Sequence, residues 1–222
     1  MHNATKILGA ATLHLGDALD VLPGIEPDVI ITDPVWPNVP DGLIPGSDDP
    51  WGLFQRFCAA LPDSLRQLVV CLRNDSDPRF LRYIPERLPF QQVAWCRYAM
   101  PGYLGRVLGG NECAYVFGRP VKSQPNRRVI PSISPVAQPT DRPPSGHPCS
   151  RALIHQRWLV YWFSDLGETV CDPFMGSGTT GVACLQESRS FIGIEIDEKY
   201  FDLAKSRIAA ADAQSSLPLG VA

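Results

Sequence analysis

The chain has no C-x-x-C pair among its seven cysteines, and no cysteine or histidine cluster has zinc-ligand spacing. Several cysteines, such as Cys71 in "LVVCL", sit inside apolar runs. This pattern predicts buried free thiols in a reducing compartment and no metal. The opening "MHNATKILGAATLHLGD" lacks the charged start and apolar core of a secretion signal. No stretch approaches the ~20 consecutive apolar residues of a membrane span. Net charge is −3 over 222 residues, so the surface as a whole is not a basic coat for nucleic acid. There is no internal repeat. A phosphate-binding loop of the G-x-x-x-x-G-K-[ST] type is excluded, because no lysine precedes Thr179. These absences predict a soluble protein, cytoplasmic or nucleoid-associated, and neither secreted nor membrane-spanning. Its 45% hydrophobic residues suffice for the core of one α/β domain.

What is present alternates between strands and helices. Asp28 to Thr32 and Leu68 to Leu72 read as short strands buried on both faces. Trp51 to Leu61 reads as a helix, and Asp77–Pro78 as the cap and first turn of a short one ending near Ile84. "QVAWCRY" and "CAYVF" read as strands joined by a Gly-rich stretch from Pro101 to Asn111. Later come a helix carrying Trp158 and Trp162, expected in the core, a strand at Thr169–Cys171, a Gly-rich turn, a helix, the strand "SFIGI" and a helix from Asp197 to about Ala211. Such alternation predicts an α/β fold with a mostly parallel sheet and helices on both faces. Residues 1–211 form one domain in this reading, and 212–222 a disordered tail.

Between Arg119 and Pro148 the composition changes. Eight of these 30 residues are proline, and Arg119, Lys122, Arg127, Arg128 and Arg142 face the single acid Asp141. The segment therefore carries +4 and the rest of the chain −7. It reads as a linker or as a surface for phosphates.

Two further features carry chemistry. "TVCDPFMGSGTTGVA" is a strand, a turn with Gly176 and Gly178, and a helix start. Glycine lets a backbone turn tightly and approach a ligand, and a helix start offers unpaired N–H groups. Seventeen residues after Gly178, Glu195 stands at the end of the next strand, where a carboxylate can accept from two ribose hydroxyls. Together they predict a nucleoside-containing ligand. The other feature is "IITDPVWPN", where Asp33 and Trp36, stiffened by prolines, stand at the mouth of a buried strand. On residue types alone Asp33 also reads as an Asx-turn residue, and Trp36 as a lid on the core.

"DPFMGSGTTGVAC" and "FIGIEIDEKYFDLAKSRI" resemble the S-adenosylmethionine-binding half of amino-group DNA methyltransferases. "LHLGDALDVLPGIEPDVIITDPVW" resembles that family's opening segment, with its D-P-P-[YWF] tetrapeptide, and "HPCSRALIHQ" also has a counterpart there. The tetrapeptide comes first and the cofactor turn 139 residues later, which is similar to the permuted, β-type order. The resemblance implies a Rossmann-like methyltransferase fold: a catalytic part at about 12–118, a DNA-contact insertion at about 119–146, and a cofactor part at about 147–211. It implies S-adenosylmethionine as cofactor, DNA as partner, no metal, and a possible homodimer. Asp33 and the carbonyl of Pro34 would accept the N–H groups of a flipped base, and Trp36 would stack on it. Asp17, Asp172, Phe174, Gly176, Ser177, Gly178, Glu195, His147 and Ser150 would surround the cofactor. Arg119, Lys122, Arg127, Arg128 and Arg142 would meet DNA. Asp at the first tetrapeptide position points to adenine N6, with cytosine N4 the alternative and an inactive nucleic-acid-binding member a further one. The third tetrapeptide position is Val35 where the family has proline, which restores an N–H and some freedom. The short insertion implies a recognition sequence of about two to four base pairs, or relaxed specificity, since base readout needs side chains held at fixed geometry.

Overall fold

Val29, Ile30, Ile31 and Thr32 are all buried, as a strand covered on both faces requires. They form β3 (Val29–Thr32), near the middle of a nine-stranded sheet. The computed structural model describes residues 4–104, 107–119, 129–141, 146 and 150–215. Before β3 come β1 (Ala4–Leu8), β2 (Ala11–Leu15) and the short helix α1 (Ala18–Val21). After it come α2 (Pro50–Ala59), β4 (Gln67–Arg73), β5 (Phe90–Leu104), β6 (Val107–Gly118) and β7 (Ile133–Ala137). The chain continues through α3 (Leu153–Phe163), β8 (Thr169–Asp172), α4 (Thr179–Gln186), β9 (Ser190–Glu195) and α5 (Glu198–Ser215).

The strand order is β1-β2-β9-β8-β3-β4-β6-β5-β7. β2, β9, β8, β3 and β4 run parallel; β1 and β6 are antiparallel to their inner neighbours, and β7 pairs parallel with β5. The expected mostly parallel α/β sheet is thus present. Alternate residues of each strand feed two apolar layers. Val29, Ile31, Val69 and Val170 meet Leu159, Phe163, Val182 and Ile208 of α3, α4 and α5. Ile30, Leu68, Val70 and Cys171 meet Leu22, Phe54 and Phe57, on and beside α1 and α2. Trp158 and Trp162 lie in or against the first layer, as their spacing predicts. Cys58, Cys71, Cys96, Cys113, Cys171 and Cys184 are buried and free.

The chain goes from β3 outward to β4 on one side and from β8 outward to β9 on the other. β3 and β8 are neighbours, so a crevice opens at their carboxyl ends, where such sheets bind ligands.

Several elements differ from the sequence reading. The helix capped by Asp77 is a 3₁₀ helix, Pro78–Tyr83, with Asp77 accepting from the Arg79 N–H as a cap should. Asp49 caps α2, which starts one residue earlier than expected, at Pro50. Within the Gly-rich stretch, residues 101–104 and 107–111 are strand rather than loop. β5 and β6 stay paired through Gly102↔Gly109 and Leu104↔Val107, after a register shift that follows Arg97. Glycine tolerates such an irregularity. The last β4 partner is Arg73, opposite Glu112, so this hairpin runs on past the sheet at the crevice end. β1 is largely exposed, and β2 alternates apolar and polar residues over only five positions and gains its inner neighbour from the distant β9. The proline-rich segment contributes β7, where Pro135 is tolerated because the strand is an edge. Trp95 N–H donates to the Ser132 carbonyl (2.8 Å) and fastens that strand.

Candidate active site

Asp172 ends β8 and is buried. It accepts from Thr32 Oγ1 (2.9 Å), Thr180 Oγ1 (2.7 Å) and the Phe174 N–H (3.2 Å). Those bonds tie the end of β3, the start of α4 and the glycine turn to one carboxylate. Burial pushes its carboxyl up to about 7, against the three hydrogen bonds that favour the charged form. Asp172 thereby holds the first residues of the turn against the ends of β3 and α4.

Within the turn, Gly176 (φ +50°) and Gly178 (φ +75°) take left-handed conformations. Gly176, Ser177, Thr179 and Thr180 line a cavity of about 230 Å³. Gly178 stands behind this wall. A Cβ there would lie 2.8 Å from the Ala204 Cβ of α5, so its glycine serves close packing as well as the turn. Phe174 lines the cavity and meets the Phe57 ring edge-on, with centroids 5.5 Å apart.

Glu195 ends β9 at the same cavity. Its Oε2 accepts from the Gly176 N–H and its Oε1 from the Asp197 N–H, both at 2.9 Å. Burial raises its pKa, and these backbone donors oppose the rise. Each oxygen keeps a further lone pair for a ligand hydroxyl. Asp17 lines the same end and caps α1 through the Leu19 N–H (2.9 Å). The residues therefore fit a nucleoside: a strand-end carboxylate with spare acceptors, beside a turn whose backbone is bare.

At the other end stand Asp33, Val35 and Trp36. Trp36 lines the cavity and is also part of the core, only 4% exposed, with its Nε1 lacking a partner among the described residues. Asp33 is held by Arg151, a residue the sequence reading left out. Arg151 Nε donates to Asp33 Oδ2 (2.6 Å) and Nη2 to Oδ1, while Nη1 pairs with Glu112. Tyr98 Oη donates to the other Glu112 oxygen (2.7 Å). The position of Arg151, next to Ser150 in "HPCSRALIHQ", was the available signal, but its partners lie 118 residues upstream and on β6. Ser150 lines the cavity, its Oγ 3.1 Å from Ser177 Oγ.

Other expected residues are placed elsewhere. His147, Lys122, Arg127, Arg128 and Arg142 lie outside the described residues. Arg119 follows β6 beside Arg66, at the amino ends of β3 and β4 and so at the opposite end of the sheet from Asp33. Pro34 is buried between Asp33 and Val35.

The family profile described as DNA methylase, covering N6 and N4 methyltransferases, matches residues 95–206, half of the chain. The chain belongs to that family. Among curated proteins, the type II methyltransferase M.BglI of Bacillus subtilis is 43% identical over 70 residues, 32% of this chain and 20% of its own length. M.SmaI of Serratia marcescens is 39% identical over 89 residues, 40% of this chain and 29% of its own length. The matched stretches thus span less than a third of those relatives. Among solved structures, the M1.HpyAVI–SAM complex superposes with a TM-score of 0.67 at 22% identity, covering 89% of this chain and 98% of that one. The PvuII DNA methyltransferase, described as cytosine-N4-specific, superposes at 0.64 and 17% identity, covering 97% and 89%. At these identities the likeness is one of fold. Among the described residues, no helix is long and apolar enough to cross a membrane.

Proposed function

We propose that the chain is an S-adenosylmethionine-dependent DNA methyltransferase acting on an exocyclic amino group, most readily adenine N6. The observation that carries this is the shared cavity. Asp33 and Glu195, at the carboxyl ends of strands flanking β8, open onto it, with the Asp172–Thr180 turn as the wall between them. Glu195 would take the ribose hydroxyls, and the turn the methionine part. When bound, S-adenosylmethionine supplies an electrophilic methyl on sulfur.

An exocyclic amino nitrogen is a poor nucleophile because its lone pair is delocalised into the ring. The Asp33 carboxylate and the Pro34 carbonyl would accept its two N–H protons, favour pyramidal nitrogen and stabilise the charge that develops on it. The base must leave the duplex to reach them. Trp36 offers an aromatic face, held in place by the core around it. The hairpin of β5 and β6, running past the crevice end, lies where a duplex would approach. The basic residues Arg127 and Arg128 are proposed to contact phosphates.

Asp at the head of the tetrapeptide supports adenine over cytosine. The test is mass spectrometry of nucleosides from DNA of cells expressing the chain. N6-methyladenine absent from control cells is the expected product. N4-methylcytosine would move the assignment to cytosine, and no methylated nucleoside from an active-site-intact chain would defeat it.

A further inference from the structure

We propose that Arg151 is a positioning residue that keeps Asp33 ionised and its carboxylate fixed in orientation, with Glu112 and Tyr98 as its anchor. The proposal rests on Asp33 being the acceptor of the target amino group.

A guanidinium is flat, and its donors form a fixed fork. Nε and Nη2 both reach Asp33, one to each oxygen, so the plane of the carboxylate follows the plane of Arg151. Nη1, on the far side of the fork, is taken by Glu112, and Glu112 is in turn held by Tyr98 Oη at 2.7 Å. Arg151 cannot swing from Asp33 without also leaving Glu112. Its side chain is only 10% exposed, against 17% for Asp33, which still opens to the cavity. One lone pair on each Asp33 oxygen is engaged, and the remaining ones are free for incoming N–H groups. Ser150, the preceding residue, meets Ser177 of the glycine turn, so the same segment connects the acceptor to the cofactor wall.

The charges around Asp33 explain why a cation is needed. Arg151 from the start of α3 and Glu112 from β6 face it directly. Asp172 at the end of β8 and Cys71 on β4 lie near it. Tyr98 and Cys96 on β5 and His155 on α3 stand behind Arg151 and Glu112. Burial lowers the proton affinity of His155, and Glu112 beside it acts the other way. Burial raises the Asp33 pKa, Arg151 counters it, and Glu112 raises it further. Without Arg151, two carboxylates share a buried site and one of them keeps a proton. A protonated Asp33 would present a donor where an acceptor is needed.

The test compares wild type with Arg151→Met, Arg151→Lys and the double variant Arg151→Met/Glu112→Gln, all in the full chain. Two readouts are used. One is the pH dependence of methyl transfer from tritiated S-adenosylmethionine to unmethylated chromosomal DNA. The other is carbon-13 NMR titration of the Asp33 carboxyl, identified by its loss in Asp33→Asn. Arg151→Met should raise the Asp33 titration and the acid limb of the rate profile by at least about one pH unit, tenfold in proton affinity. The double variant should move both back toward wild type. Arg151→Lys should leave the titration close to wild type and lower the plateau rate about tenfold, since a point charge cannot orient the carboxylate. Asp33 titrating as in wild type in Arg151→Met would overturn the proposal. If Arg151→Met does not fold, the double variant decides: an unmoved titration combined with a full plateau rate overturns the proposal, and a lowered plateau rate or a titration still above wild type supports it. Full turnover by Asp33→Asn would instead defeat the reading of Asp33 as acceptor, while the titration would still report on Arg151.

Discussion

The two ends of the cavity hold their carboxylates by different means. Glu195 is fixed by backbone N–H groups of Gly176 and Asp197, within 19 residues of it in the chain. Asp33 is fixed by a charged side chain 118 residues away, itself anchored on a second carboxylate. Backbone donors have partial charges that persist through any substitution of their side chains except by proline. A guanidinium brings a full charge that one substitution removes. On the proposed function, the Glu195 end is a robust binding frame, and the Asp33 end a setting for chemistry that single changes can spoil.

The most severe test of this contrast is Asp33→Ala. It should lower methyl transfer by about a thousandfold, as expected for loss of a group that meets developing charge, while calorimetric cofactor affinity stays within about twofold. Comparable loss of both would show that the two ends are not separable. Glu195→Ala should do the reverse and weaken S-adenosylmethionine binding by about 1.5–3 kcal/mol, from the loss of a charged acceptor. A folded variant with unaltered affinity would remove Glu195 from the frame.

Asp172, between the ends, supplies a stability test. Its carboxyl is raised in the folded chain to about 7, so the folded state holds a proton that the unfolded state releases. Stability should therefore fall as pH rises from about 4 to about 7 and level off above that. Asp172→Asn should flatten this part of the profile in denaturant titrations at several pH values; a slope equal to wild type would place the effect on other groups. The smallest effect is expected at Arg119, which lies at the end of the sheet remote from the cavity. Arg119→Ala should leave the salt dependence of DNA binding unchanged. Neutralising Arg127 and Arg128 together should reduce the log–log slope by about 1.8, if both meet phosphates. A drop in slope for Arg119→Ala would mean that DNA wraps to the far side.

The same contrast governs what could be read in the sequence. The turn, Glu195 and the buried strands β3, β4, β8 and β9 are local patterns, and the structure has them where the spacing indicates. Arg151 was missed because a lone arginine in a polar stretch looks solvated. Only its pairing with Asp33 beyond β3 and with Glu112 on β6 makes it a buried counter-ion. β7 and the outer part of the β5–β6 pair lie in stretches that read as linker or Gly-rich connection because proline and glycine count against strands, yet both are permitted at an edge and in a paired extension. The N-terminal strands carry a weak signal, since β1 is largely exposed and β2 alternates over only five residues and takes its inner partner from β9.

The adjacency of β3 and β8 also has a bearing on synthesis. β3 is made early and gains β4 soon after, but its other neighbour begins only at Thr169. Until then a short strand, apolar on both faces, has one unpaired edge, the geometry most prone to pairing with the wrong chain. Asp33, at the end of that strand, meanwhile has no guanidinium. As domains are completed from the N-terminus, the last third of this chain has to close the sheet and neutralise the acceptor in one step. A nascent chain stalled before Thr169 should be a client for chaperones, whereas the finished chain has that edge sealed.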